Sequence, residues 1–346
     1  MILKILSALF ILVMFVAMIL WLHALSVSDG KCEGYCDRCP YEGVCEQQKG
    51  RENMKNQIYN GIMGLIVGDA LGVPFEFKQR DTFHCEDMTG NGTYNQPPGT
   101  WSDDSSMVLA TIDSIANNHG GIDPHNIMDR FAYWLYLKEY TPYGVVFDVG
   151  NTTRAALDRY NSGKPWNECG GRTQLENGNG ALMRILPMAF VKCYDQQITY
   201  VASLTHAHPI SLGACLIYVD IAKDLIKGVP LDVSVYARGI SSFPEYNRLR
   251  DLEQLTRDEI KSSGYVVDTL EAALWCLLHT NTYKDAVLTA VNLGSDTDTV
   301  AAVTGGLAGI IYGVGGESGI PERWINQLAR KDYIEKLISN FAAAVT

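Results

Sequence analysis

The chain has 346 residues, 47% of them hydrophobic and 19% charged, enough for one large domain or two small ones with a sizeable core. Its formal net charge of -11 excludes the polyanionic backbone of a nucleic acid as a natural partner. The acidic surplus leaves two readings open: a carboxylate-lined site for cations, or a well-solvated surface.

The first element is "ILSALFILVMFVAMILWL", residues 5–22, apolar apart from Ser7, with no formal charge following until Asp29. That length suits a membrane-spanning helix, with Trp21 at one interface. The alternative is a cleaved signal peptide ending near Ala24-Leu25-Ser26, but the apolar run exceeds the roughly 7–15 residues of a usual signal core. An uncleaved anchor over residues 1–28 is therefore expected, giving a single-pass membrane protein. Lys4 on one side and Lys31 and Arg38 on the other bias the orientation little.

Residues 29–56 form a second segment. Cys32, Cys36, Cys39 and Cys45 crowd into "CEGYCDRCPYEGVC", a spacing that fits no standard metal pattern closely and equally allows two disulfides. The other five cysteines, Cys85, Cys169, Cys193, Cys215 and Cys276, are scattered singly and read as buried thiols in a reducing compartment. A cytoplasmic location follows for what they belong to. The polar stretch from Glu46 to Asn56 reads as a linker before a domain spanning residues 57–346.

From Gln57 onward the pattern is helical, with short breaks rich in Gly and Pro. "SSMVLATIDSIANN" puts Val108, Ile112 and Ile115 on one face. "FAYWLYLKEY", "SLGACLIYVDIAKDLIK", "VVDTLEAALWCLLHT" and "RKDYIEKLISNFAAA" behave likewise. Sustained period-two alternation is missing, so an all-α, single-domain fold is predicted. "GIMGLIVGDALG" places Gly61, Gly64, Gly68 and Gly72 on one stripe. Each costs about 1 kcal/mol against Ala inside a helix, which close approach of a neighbouring helix would explain. "AAVTGGLAG" offers the matching small-residue face. A transmembrane pairing motif is the alternative, and Asp69 within the stretch argues against lipid.

Two acidic clusters open predicted helices: Ser102, Asp103, Asp104 and Ser105 in "GTWSDDSSM", and Asp296, Thr297, Asp298 and Thr299 in "NLGSDTDTVAAV". Either alone reads as helix capping. Together, four carboxylates with the oxygens of Ser102 and Thr299 make two oxygen-rich cages of the kind hard divalent cations need. Without cations, four aspartates brought together would repel.

These segments resemble the ADP-ribosylglycohydrolase family, also called the dinitrogenase-reductase-activating glycohydrolase family. "GLIVGDALGVPFEF", "GTWSDDSSM", "FDVGNTTRAAL", "GNGALMRILP", "THAHP", "GYVVDTLEAALW" and "NLGSDTDTVAAVTGGLAG" occur in the family's order between about residues 57 and 344. The resemblance implies an all-helical hydrolase with a dinuclear magnesium centre, manganese being possible. Ser102, Asp103 and Asp104 would supply ligands from one side of a cleft, and Asp296, Asp298 and Thr299 from the other. The cleaved bond would be the N- or O-glycosidic link between ADP-ribose and a protein side chain or small acceptor, through an oxocarbenium-like state.

The resemblance further implies that Glu76 in "VPFEF" and Asp148 in "FDVGNTTR" include the general acid/base. Their alternatives are a surface carboxylate and a helix cap before Asn151. Asn151 would reach ribose hydroxyls. Gly178, Asn179 and Gly180 precede a predicted helix whose free N–H groups suit diphosphate. His206 and His208 are substrate contacts or satisfied structural histidines. Tyr265 matches a position where an aromatic stacks on adenine, and a core role is equally open. The substrate partner is ADP-ribosylated, the membrane is met through the N-terminal helix, and a monomer is expected. Two other classes remain as alternatives. The first is a non-catalytic, crystallin-like ADP-ribose binder, against which retention of all four aspartates argues. The second is a di-metal phosphoesterase, whose usual histidine ligands are missing from both clusters.

Overall fold

The computed structural model describes residues 42–239 and 243–346. The expected membrane anchor and Cys32, Cys36 and Cys39 lie outside them, as does the side chain of Cys45. Among the described residues there are twelve α-helices and no strand, only four isolated β-bridges.

The first helix, α1, runs from Glu42 to Gly72. The stretch Glu46–Asn56, expected as a linker, is therefore helical. Its Glu, Gln, Lys and Arg residues are good helix formers, and from Gln48 to Asn56 they are mostly exposed. Charge alone does not separate a linker from the solvated end of a helix. From Ile58 onward α1 turns apolar and buried. The span Gln48–Phe75 is long and apolar enough to cross a membrane, yet 83% of its apolar window is buried within the protein, which makes it a core helix.

Helices α2 (Asp103–Asn117), α3 (Pro124–Ala132) and α4 (Asn151–Asn161) follow. Val108, Ile112 and Ile115 are fully buried on α2, as their spacing predicts. "FAYWLYLKEY" is not one α-helix: α3 stops at Ala132, a π turn covers Tyr133–Leu137, and Lys138 adopts a left-handed conformation. Next come α5 (Asp195–Ser203), α6 (Pro209–Ile226), α7 (Val233–Gly239), α8 (Val266–Leu278) and α9 (Tyr283–Val291). Then follow α10 (Thr297–Tyr312), α11 (Glu322–Gln327) and α12 (Lys331–Val345).

Helix α10 is the centre of the packing, touching α2, α6, α8 and α9 and lying directly on α1. The stripe of glycines makes that last contact possible. A Cβ on Gly64 would overlap the Gly305 carbonyl oxygen, one on Gly68 that of Ala301, and one on Gly72 the backbone of Asp298. The two backbones lie so close that Tyr283 on α9 reaches through to donate to the Gly64 carbonyl at 2.6 Å. This contact sets the N-terminus of α10 against the C-terminus of α1. Cys85, Cys169, Cys215 and Cys276 are buried, Cys193 is half-buried, and all five are unpaired thiols.

Candidate active site

Because α1 ends where α10 begins, the carboxylates around both ends converge. Thr297 Oγ1 donates to the Gly72 carbonyl at 2.8 Å. A three-residue 3-10 turn, Val73–Phe75, then brings the chain to Glu76. The next residues pair with the second acidic loop: Phe77 N–H donates to Ser295 at 2.7 Å, and Ser295 N–H to Lys78 at 2.8 Å. Phe77 and Ser295 both hold positive φ, 63° and 66°, a costly conformation for side-chain-bearing residues. The clip thus fixes Glu76 beside Asp296.

The first acidic loop is held by Asp69, a fully buried residue of α1. Its carboxylate accepts from Ser102 N–H at 3.0 Å, Ser105 N–H at 3.1 Å and Ser105 Oγ at 2.5 Å. Sequence reasoning used Asp69 only as an argument against lipid. A lone Asp in a buried apolar stripe is itself the signal that it must have partners.

Asp104 joins the two loops. Its Oδ2 accepts from Ser102 Oγ at 3.0 Å and from Thr299 Oγ1 at 3.3 Å, while Oδ1 is buried without a partner. Asp298 Oδ1 accepts from Thr299 N–H at 3.0 Å. Asp296 sits at the N-cap of α10 but makes no capping bond, and its Oδ2 takes the Asn179 amide at 2.8 Å instead. Capping accounts for Ser102, which accepts from Asp104 N–H; it does not account for Asp296.

Carboxylate oxygens gather into two groups, Asp69/Asp104/Asp298 and Glu76/Asp296/Asp298, each within 4.8 Å of one another. Asp298 belongs to both. Burial raises Asp103, Asp104 and Asp298 well above the usual carboxylate range, and the neighbouring carboxylates raise them further. Burial, then Asp148 and Asp296, push Glu76 up to about 9; burial, then Asp296, push Asp148 up to about 6. The Glu76 Oε2 atom also lacks a partner. Unpartnered buried carboxylate oxygens in an all-oxygen setting fit hard divalent cations.

Above these acids lies a cavity of about 500 Å³. Glu76, Asp103, Asp148 and Asp296 line it together with Thr299, and among the described residues no Lys or Arg does. Asn151, at the first position of α4, contributes to its wall, together with Gly178, Asn179, Gly180 and His206.

One expectation needs correction here. The helix after Gly180 is only a three-residue 3-10 turn, Leu182–Arg184, and Asn179 N–H already donates to the Gly264 carbonyl at 3.0 Å. What Gly178 and Gly180 provide is room for the His206 ring, against which a Cβ on Gly180 would collide. His206 is kept neutral, its pKa pushed down to about 3 by burial and by the Arg184 charge. His208 caps α6, accepting from Ile210 N–H at 3.3 Å, and does not line the cavity. Tyr265 is half-buried behind Gly178, to which its backbone is bridged, and it too is not among the lining residues.

Two exposed apolar side chains that sequence reasoning passed over, Phe77 (69% exposed) and Leu175 (96%), also line the cavity.

Comparisons with known proteins show the family to which the chain belongs. The ADP-ribosylglycohydrolase family profile matches residues 50–346. The ADP-ribosylarginine hydrolase Tri1 of Serratia proteamaculans is 37% identical over 294 residues, covering 80% of this chain and 76% of the relative. The ADP-ribosyl-[dinitrogen reductase] glycohydrolase of Rhodospirillum rubrum is 33% identical over 299 residues, covering 81% of this chain and 92% of the relative. A solved ADP-ribosylglycohydrolase-related protein complex superposes with a TM-score of 0.71 at 31% identity, covering 85% of this chain and all of that one. The chain belongs to the ADP-ribosylglycohydrolase family and is a hydrolase of glycosidic bonds.

Proposed function

We propose that the protein is a divalent-metal-dependent hydrolase that removes ADP-ribose from arginine side chains of proteins. The observation that carries the metal dependence is the pair of buried carboxylate groups sharing Asp298, with unpartnered oxygens on Asp104 and Glu76. The arginine linkage is supported by the activity of the Serratia relative.

In this reading Ser102, Asp103, Asp104, Asp296, Asp298 and Thr299 would hold magnesium or manganese, two ions being supported by the two carboxylate groups. Cations bound there would offset the clustered negative charge and supply Lewis-acid chemistry. The chain's own residues do the rest. Asn151 contacts the ADP-ribose from the cavity wall, and Gly178 and Gly180 leave room there for the neutral His206 ring. Glu76 and Asp148 form a proton-transfer pair at the cavity floor. One delivers a proton to the leaving guanidine nitrogen as the C1″–N bond breaks, and the other takes one from the water that adds to C1″. Residues 5–28 tether the enzyme to a membrane, with the catalytic domain on the cytoplasmic side.

The test is hydrolysis by the purified protein of arginine-linked and serine-linked ADP-ribosylated substrates, with magnesium and with chelator. Release of ADP-ribose from the arginine substrate alone, and only with metal, is the expected result. Equal rates in chelator would defeat the metal assignment, and release from serine alone would defeat the arginine assignment.

A further inference from the structure

The loop between Glu76 and α2 carries an aromatic residue, Tyr94, that no sequence motif picks out. It ends the 3-10 turn Gly92–Tyr94, which packs against the turn Val73–Phe75 just ahead of Glu76. Gly92 makes that contact possible: its φ is +65°, and a Cβ there would overlap the Pro74 backbone. Beside it, Thr93 Oγ1 donates to the Glu76 carbonyl at 2.6 Å. The backbone ahead of the Tyr94 ring is therefore locked to the backbone around Glu76.

The ring itself joins the two segments that carry the candidate acids. It meets Phe77, the residue after Glu76, edge-on at 6.5 Å. It meets Phe147, the residue before Asp148, at 5.0 Å. Tyr94 is half-buried and does not line the cavity, so it supports the site from behind. Its phenol feels both acids: after burial, Asp148 and Glu76 raise its pKa, and it in turn draws both carboxyls down.

We propose that Tyr94 is a positioning residue whose ring, set between Phe77 and Phe147, presents its hydroxyl to the Glu76 and Asp148 carboxyls and fixes one relative to the other. A phenol donates one hydrogen bond and accepts another. One hydroxyl can therefore join both carboxyls at once. The inference rests on the reading of Glu76 and Asp148 as the proton-transfer pair.

The test uses the full-length chain with magnesium and an arginine-ADP-ribosylated protein, comparing Tyr94→Phe, Tyr94→Ala, Glu76→Gln and Asp148→Asn. Tyr94→Phe keeps the ring and its aromatic contacts and removes only the hydroxyl. The expected result is a kcat lowered about tenfold, a KM within about twofold of wild type, and an unchanged melting temperature. Tyr94→Ala should lose melting temperature as well. Wild-type kcat in Tyr94→Phe, with turnover lost in Glu76→Gln or Asp148→Asn, overturns the role of Tyr94 and leaves the acid–base pair standing. Wild-type turnover in both carboxyl variants overturns both. A Tyr94→Phe melting temperature as low as that of Tyr94→Ala also overturns the proposal, because the effect would then be structural.

Discussion

A Cβ on Gly305 would lie 2.3 Å from the Gly64 carbonyl oxygen, and a Cβ on Gly64 would lie 2.3 Å from the Gly305 carbonyl oxygen. Two glycines 241 positions apart in the chain thus pack their helices backbone to backbone, and this contact brings Gly72 against Asp298 at the cavity floor.

Gly64→Ala or Gly68→Ala should therefore destabilise the protein by about 3 kcal/mol, because the added methyl meets a carbonyl rather than a side chain that can rotate away. Gly50 lies on the same helix with open space around it, so Gly50→Ala should instead stabilise by about 0.5–1 kcal/mol. Denaturant melts of the three variants check this. Equal effects at positions 50 and 64 would mean that the helix contact is not as drawn.

The glycine stripe and the two acidic clusters were legible because both violate a local rule: glycine inside a helix, and carboxylates stacked without cations. Helices with a long apolar face, such as Asp103–Asn117, Pro209–Ile226, Val266–Leu278 and Lys331–Val345, were legible from their periodicity, while short ones such as Tyr283–Val291 and the charged start of α1 were not. What was not legible depends on contacts far along the chain. Asp69 is recognisable as buried, but its hold on Ser102 and Ser105 is a tertiary fact. His206 and His208 look alike in "THAHP", and only the fold sends the first to the cavity and the second to a helix cap. Tyr94 sits in a polar loop with no periodicity, so its ring contacts had no signal at all.

Glu76→Gln and Asp148→Asn should each lower turnover by about 10²–10⁴-fold while leaving ADP-ribose affinity nearly intact. A group that acts on the proton in transit affects rate more than ground-state binding. Single-turnover kinetics alongside calorimetric titration with ADP-ribose separate the two quantities. Unchanged turnover in both variants would remove the proton-transfer pair.

Asp298 belongs to both carboxylate groups and Asp103 to neither, which ranks their substitutions. Magnesium that binds only the folded state should stabilise wild type by about 2.7 kcal/mol at a hundredfold excess over its dissociation constant. Asp298→Asn should abolish most of that gain, and Asp103→Asn should lose less. In chelator both variants should be as stable as wild type or slightly more so, since each removes a repelled charge. If the acids were merely helix caps, Asn would serve about as well as Asp and magnesium would change nothing. Thermal melts with magnesium and with chelator distinguish these outcomes.

The same carboxylates predict how stability depends on pH. Glu76, ordinarily 4.5, is pushed up to about 9, and Asp69 and Asp148, ordinarily 3.8, to about 6. Between each ordinary and raised value the folded protein binds more protons than the unfolded chain, so stability falls as pH rises. The contribution of these groups is complete below about pH 4 and is lost as pH climbs through 6 and then 9. Glu176 and His206 work in the opposite direction: backbone and side-chain hydrogen bonds from Thr173 hold Glu176 near 2, and burial with the Arg184 charge holds His206 near 3, so their contributions are lost as pH falls below their ordinary 4.5 and 6.5. The several raised carboxylates outweigh these two, so in chelator the melting temperature should peak at about pH 4 to 5 and decline toward pH 9. Saturating magnesium should flatten that decline, because a cation favours the ionised carboxylates that protons would otherwise occupy. A chelated protein that grows more stable from pH 5 to pH 8 would show that the carboxylates are not repelling one another as the structure requires.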